Sequence, residues 1–189
     1  MPKIVDHDAY RNELLQKYFD DFAQRGYNDV TMREIAQSLG VSTGSLYHYF
    51  PTKNSILESM IQLASRRDIS GAVENITADT PLEDRIKAFS DYIMEKERWF
   101  QDILLLTIDY YRQHGKDGSF DIMNEADHYY GNGVAEWTGL PTEFGFMFTI
   151  FFNGLIFHRL VFPDSVSFNE QADLFLKVLM NYLRSVDIA

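Results

Sequence analysis

The stretch at residues 30–53, VTMREIAQSLGVSTGSLYHYFPTK, limits the fold more than any other part of the chain, because it marks out two short helices and begins a third. Thr31 and Glu34 have the T-x-x-E spacing of a capping box, in which the hydroxyl accepts the amide of Glu34 and the carboxylate returns to the amide of Thr31. Ile35, Ala36 and Leu39 give that helix one buried face, and Gly40 closes it after about two turns. Ser42 is an N-cap for the next helix, where only Leu46 and Phe50 are plainly apolar. Thr43, Gly44, Ser45, Tyr47 and His48 therefore face outward, mostly small and hydrogen-bonding, as close approach to another surface requires. Pro51 ends the run, and Thr52 caps a helix whose first turn holds Lys53, Asn54 and Ser55.

Upstream, Tyr10, Leu14, Tyr18 and Phe22 recur every four positions between His7 and Arg25, with Leu15 and Phe19 widening the stripe, which predicts an amphipathic helix. Gly26 stands where a left-handed residue would stop it. Helix, glycine turn and short second helix make up the helix-turn-helix geometry, in which the second helix enters the major groove and the first crosses the backbone.

The run resembles the head of the TetR family of transcriptional regulators, whose hallmark has the form T-x-x-x-I-A-x-x-x-G-V-S-x-G-x-L-Y-x-Y-F-x-x-K. Thr31, Ile35, Ala36, Gly40, Val41, Ser42, Gly44, Leu46, Tyr47, Tyr49, Phe50 and Lys53 match it at fixed spacing. The resemblance implies that Thr31, Tyr47 and Lys53 grip phosphates, which suits a hydroxyl and an ammonium at helix N-termini and a phenol on an exposed face. Arg33, Thr43, Gly44, Ser45 and His48 occupy positions that look toward base edges, Gly44 by allowing close backbone approach and Thr43 by touching a thymine methyl. Ser42 and Tyr49 complete the DNA-binding set, while Phe50 reads as core. No arginine or lysine lies between Arg33 and Lys53, so the second helix lacks the usual side chains for bidentate guanine recognition, and specificity falls to small contacts, Arg33 and DNA shape.

Charge divides the chain. The net charge is −11, yet the first 67 residues balance eight basic against eight acidic side chains, and the whole deficit lies beyond them. A DNA-binding head on an acidic body shows such asymmetry, although a neutral head, with only Lys3 against Asp6 and Asp8 in its arm, predicts weak sequence-independent binding. With no cysteine, thiolate metal sites and disulfides are excluded, and the start lacks the apolar run of a signal peptide, so a cytoplasmic protein is expected.

Beyond the head, Ile56, Leu57, Met60, Ile61 and Ala64 carry the fourth helix towards Arg67, and the segment from Ala78 to Pro81 breaks the pattern. Leu82, Ile86, Phe89 and Ile93 resume it, and Trp99 to Tyr111 reads as a central helix apolar nearly all round. His114 to Ser119 is a loop whose Gly-Lys lacks the rest of a P-loop. Asp121, Glu125 and His128 share a helical face, but without a fourth ligand at motif spacing no metal site is expected, and no cofactor. No catalytic grouping emerges, so no enzyme activity is expected.

Residues 144–162 are apolar except for Thr149, Asn153, His158 and Arg159, which reads as a buried helix too interrupted for a membrane span. A second stripe runs from Phe168 through Leu174 to Val186. The resemblance implies that these last two helices form a four-helix dimer interface, placed here on Phe151, Leu155, His158, Phe175, Val178, Leu179 and Tyr182, with Gly145 and Gly154 permitting close approach. It also implies an effector cavity, for which composition offers Phe89, Tyr92, Trp99, Phe100, Leu104, Ile108, Tyr111, Tyr129, Trp137, Phe148 and Phe152.

The expected protein is all-α: a three-helix helix-turn-helix head at 1–52 and a helical-bundle body at 53–189 for effector binding and dimerisation, joined by a helix over 53–68. Its expected function is that of a dimeric repressor, released from a pseudo-palindromic double-stranded DNA operator by a small hydrophobic effector, with no membrane partner. An adaptor acting through a protein partner and an all-helical enzyme remain the alternatives.

Overall fold

The computed structural model describes residues 6–74, 76–77, 79–115 and 121–186; Lys3, Ala78 and the loop residues 116–119 lie outside them. The described residues form nine helices and no strand: α1 (His7–Arg25), α2 (Met32–Leu39), α3 (Thr43–Tyr49), α4 (Lys53–Val73), α5 (Leu82–Glu95), α6 (Glu97–His114), α7 (Asp121–Thr138), α8 (Thr142–Val161) and α9 (Phe168–Ser185). They divide into two compact units. One comprises the described residues of Met1–Ala64 and Leu105–Met123, the other those of Ser65–Leu104 and Asn124–Ala189.

In the first unit local chemistry sets the boundaries. Asp6 caps α1 by accepting the amides of Asp8 and Ala9, and Leu14, Leu15, Tyr18, Phe19 and Phe22 bury the predicted stripe. Gly26 stops α1 at φ 81° and ψ 155°, a region open in practice only to glycine, rather than in the left-handed helical conformation expected of it. Both halves of the Thr31–Glu34 capping box are present, and Gly40 closes α2 in the left-handed conformation. Ser42 caps α3 by accepting the Ser45 amide, and Thr52 accepts the amide of Ser55 at the start of α4. Ile35, Leu46, Phe50, Ile56 and Leu57 close the core. The second half of α6 belongs here as well: Tyr110 stacks on His114 at 4.5 Å, and the His114 ring meets Asn54 at 3.1 Å and the edge of Tyr27.

The second unit is built around an aromatic core in which Phe89, Phe148 and Phe152 meet with ring centres about 6 Å apart. Its one buried acid among the described residues of α4 is Asp68, 2% exposed, which accepts from the Tyr130 hydroxyl at 2.7 Å, the Trp99 indole at 3.2 Å and the Tyr92 hydroxyl at 3.4 Å. A buried carboxylate persists only with such donors. Gly145 lets α8 cross α7 closely, since a Cβ there would lie 1.9 Å from the Gly131 carbonyl oxygen.

Three expectations change. α4 runs past Arg67 to Val73, because Asp68 and Ala72 are buried against neighbours that sequence spacing does not reveal. The helix expected over Trp99 to Tyr111 lies within α6, but it is not apolar nearly all round: Leu105 and Tyr111 are exposed, while the acid Asp102 is buried. α8 is not a buried helix. Gly145, Phe148, Phe152, Leu155 and Ile156 face the core, but most of the remainder is open.

Candidate nucleic-acid interface

Capping at Ser42 and Phe50's burial hold α3 so that Thr43, Gly44, Ser45, Tyr47 and His48 all stand exposed on one side of the head, with Thr31 and Arg33 exposed on α2. Arg33, Thr43 and Tyr47 have no hydrogen-bond or ion-pair partner among the described residues, so their polar groups are open to an incoming surface. Ser42 and Ser45 differ, since the Ser42 hydroxyl donates to Ser45 Oγ at 2.9 Å while accepting the Ser45 amide. Tyr49 is half-buried, its hydroxyl 2.9 Å from His7 Nδ1 and its ring against Tyr10 and His48. Sequence reading did not single out His7, because nothing in its own helix announces a partner on α3.

Of the three residues expected to grip phosphates, Thr31 and Lys53 already carry a structural task, while Tyr47 does not. Thr31 donates to Glu34 Oε2 at 2.7 Å, and Glu34 also binds Arg25 at 2.8 Å. The Thr31 hydroxyl, with Arg25 and the Thr31 amide, brings the Glu34 pKa down to about 2, so a full negative charge occupies the N-terminus of α2. Lys53 donates to the carbonyls of Tyr27 and Val30 at 2.7 and 3.0 Å and lies over the Tyr27 ring, and its partial burial lowers its pKa. Its ammonium thus ties the loop before α2 to α4 and has limited capacity left for a phosphate.

A second surface lies on the body unit. Ile150 (72% exposed), Phe157 and Val161 on α8, with Leu174, Val178 (61%) and Tyr182 on α9, form unpartnered apolar faces. Phe144, Met147, Phe175, Val178 and Tyr182 bound an apolar groove of about 380 Å³. Of the interface residues expected from sequence, His158, Val178 and Tyr182 are exposed and Phe151 and Phe175 half-buried, stacked on each other at 4.1 Å. Leu155 and Leu179 instead face the core. In a helix apolar on every side, as α8 is, composition cannot phase the outward face, which is why Ile150 and Phe157 were missed. Gly154 has open space where a side chain would point, while Gly145 is used within the fold.

The aromatic set proposed for an effector does not gather in one place. Phe89, Phe148 and Phe152 are buried core; Tyr92, Phe100, Leu104 and Trp137 pack against it, and Tyr92 and Trp99 serve Asp68. Ile108 and Tyr111 belong to the other unit, and Tyr111 and Tyr129 are exposed. Their common apolar character concealed these different destinations. Asp121, Glu125 and His128 are exposed, and among the described residues no group of three or more metal-binding side chains converges.

Residues 20–60 match the family described as "Bacterial regulatory proteins, tetR family". The HTH-type transcriptional regulator BetI of Klebsiella pneumoniae is 36% identical over 75 residues, 40% of this chain and 36% of that protein. The HTH-type transcriptional repressor KstR2 of Mycolicibacterium smegmatis is 40% identical over 79 residues, 39% of this chain and 36% of that protein. The aligned part thus spans little more than a third of either relative. The fold as a whole is similar to that of the fatty acid degradation regulator FadR from Bacillus halodurans, with a TM-score of 0.70 and 16% identity over 89% of this chain and 93% of that one. The matched segment carries the capping box, the turn glycine Gly40 and the exposed second helix of this head, so residues 20–60 are similar to the DNA-binding head of the TetR family of bacterial regulatory proteins.

Proposed function

We propose that the chain is a dimeric DNA-binding transcriptional regulator, a repressor rather than an enzyme, in which residues 1–52 read an operator and residues 53–189 pair two copies. The observation that carries this reading is the exposed, unpaired set Arg33, Thr43 and Tyr47 on the two helices of a fully capped helix-turn-helix. KstR2, named a repressor, supports the sign of regulation. The operator is pseudo-palindromic, one head per half-site, with half-sites ~34–36 Å apart or a multiple of that. Release by a small hydrophobic effector follows if the effector binds the non-fitting arrangement of heads more tightly. Such a protein works in the cytoplasm.

Pairing through α8 and α9 is supported by their open apolar faces, where each fully covered side chain contributes about 1.5–3 kcal/mol. α8 is long and apolar enough to cross a membrane by length and composition. A second copy suits the face better than lipid does, because Asn153 and His158 are exposed along it and polar groups in hydrocarbon are costly.

The neutral head and the engaged Lys53 predict a shallow salt dependence. Fluorescence anisotropy on labelled duplexes across a salt series should yield fewer than about eight released counterions per dimer. A steeper slope contradicts the assignment of roles, and absence of binding at low salt contradicts the function.

A further inference from the structure

Helices α5, α8 and α9 enclose a cleft of about 210 Å³ in the body unit. Its floor is apolar, with Ile86, Phe152 and Ala172 all buried. Its mouth is polar. Lys87 and Asp91 pair with each other at 3.3 Å across one turn of α5, so their charges offset. Ser90 on α5 and Asn169 and Asp173 on α9 have no hydrogen-bond or ion-pair partner among the described residues. The cleft therefore combines apolar walls with one uncompensated carboxylate, one free amide and one free hydroxyl.

We propose that this cleft is a binding site for a small, largely apolar compound carrying one ammonium group. Its volume exceeds the ~150 Å³ of an engineered apolar cavity that accepts benzene, so a single ring or short branched chain fits. The ammonium's donors match the Asp173 carboxylate, the Asn169 carbonyl and the Ser90 hydroxyl, all of which accept. An anionic ligand would meet Asp91 and Asp173 against Lys87 alone. Of the aromatic residues expected from sequence to line an effector cavity, Phe152 alone contributes here. Phe175 lines both this cleft and the α8–α9 groove, so an occupant lies against a ring that borders the proposed pairing face.

The test is calorimetric titration of the full chain, without DNA, by 2-phenylethylamine, 2-phenylethanol and phenylacetate at neutral pH. Binding is thereby read apart from whether the dimer recognises an operator. The amine should bind at least about tenfold more tightly than the alcohol, as a charge-assisted contact requires, and phenylacetate should not bind. Asp173→Asn should bring the amine to the alcohol's affinity, and Ala172→Met, which fills the floor, should abolish both. Equal affinities of amine and alcohol, binding of phenylacetate, indifference of the amine to Asp173→Asn, or no binding of any probe would each overturn the assignment. Asp173 is exposed, so its variant tests the proposal even where Ala172→Met does not fold.

Discussion

Glu34 and Asp68 show how far single side chains govern this molecule, because the two carboxylates are under opposite forces. The Thr31 hydroxyl and Arg25 hold Glu34 at about 2, below its ordinary 4.5, so the stability it lends is complete above the unfolded value and lost as pH falls toward 2. Burial raises Asp68 above its ordinary 3.8 despite donors from Tyr130 and Trp99. Its folded form holds the proton more tightly than the unfolded chain, so its contribution becomes less favourable as pH rises from 3.8 through the folded pKa. Carboxyl ¹³C titration should therefore place Glu34 near 2 and Asp68 above 3.8; coincident midpoints would contradict both environments. Lys53 and Thr43 test the proposed division between positioning and reading residues. Lys53→Ala should weaken binding to every sequence, lower the salt slope by about one, and destabilise the chain by about 1–2 kcal/mol through the lost carbonyl contacts. Thr43→Ala should leave stability unchanged in urea unfolding and relax preference at one base position, costing ~1–3 kcal/mol there.

Helices differ in how much of their fate is local, and that decides what could be read in advance. The boundaries of α1 to α3 follow from Asp6, Thr31 and Ser42, each accepting amides within three residues, and from Gly40, whose own amide donates to the carbonyls of Ala36 and Gln37; the exposed face of α3 followed from them. The continuation of α4 to Val73 depends on Tyr92, Trp99 and Tyr130, which are far away in sequence. The same holds for α6, whose first half serves Asp68 while its second half joins His114 to Asn54 and Tyr27; an apolar run cannot say that its two ends belong to different units. α8 was hardest to phase, having apolar residues on all sides. Its outward face, with that of α9, makes the proposed dimer testable. Val178→Asp places a charge on the face without touching the core, so sedimentation should show a monomer of native helicity. A dimer unaffected by Val178→Asp would move the interface elsewhere.

For the molecule as a whole, charge distribution and architecture support one another. On the proposed dimeric reading, an acidic body and a neutral head leave affinity to the geometry of two heads rather than to general attraction for phosphates, so specificity and pairing should be lost together. A monomeric Val178→Asp protein should accordingly retain its folded head yet bind the operator far more weakly than the native dimer. The most direct measurement of the central claim is selection of bound duplexes from a random-sequence pool by the purified chain at low salt. It should enrich a pseudo-palindrome whose half-sites lie ~34–36 Å apart, or a multiple of that, and Thr43→Ala should blur one symmetric position in it. A pool that stays random, with no duplex retained at low salt, would contradict the account.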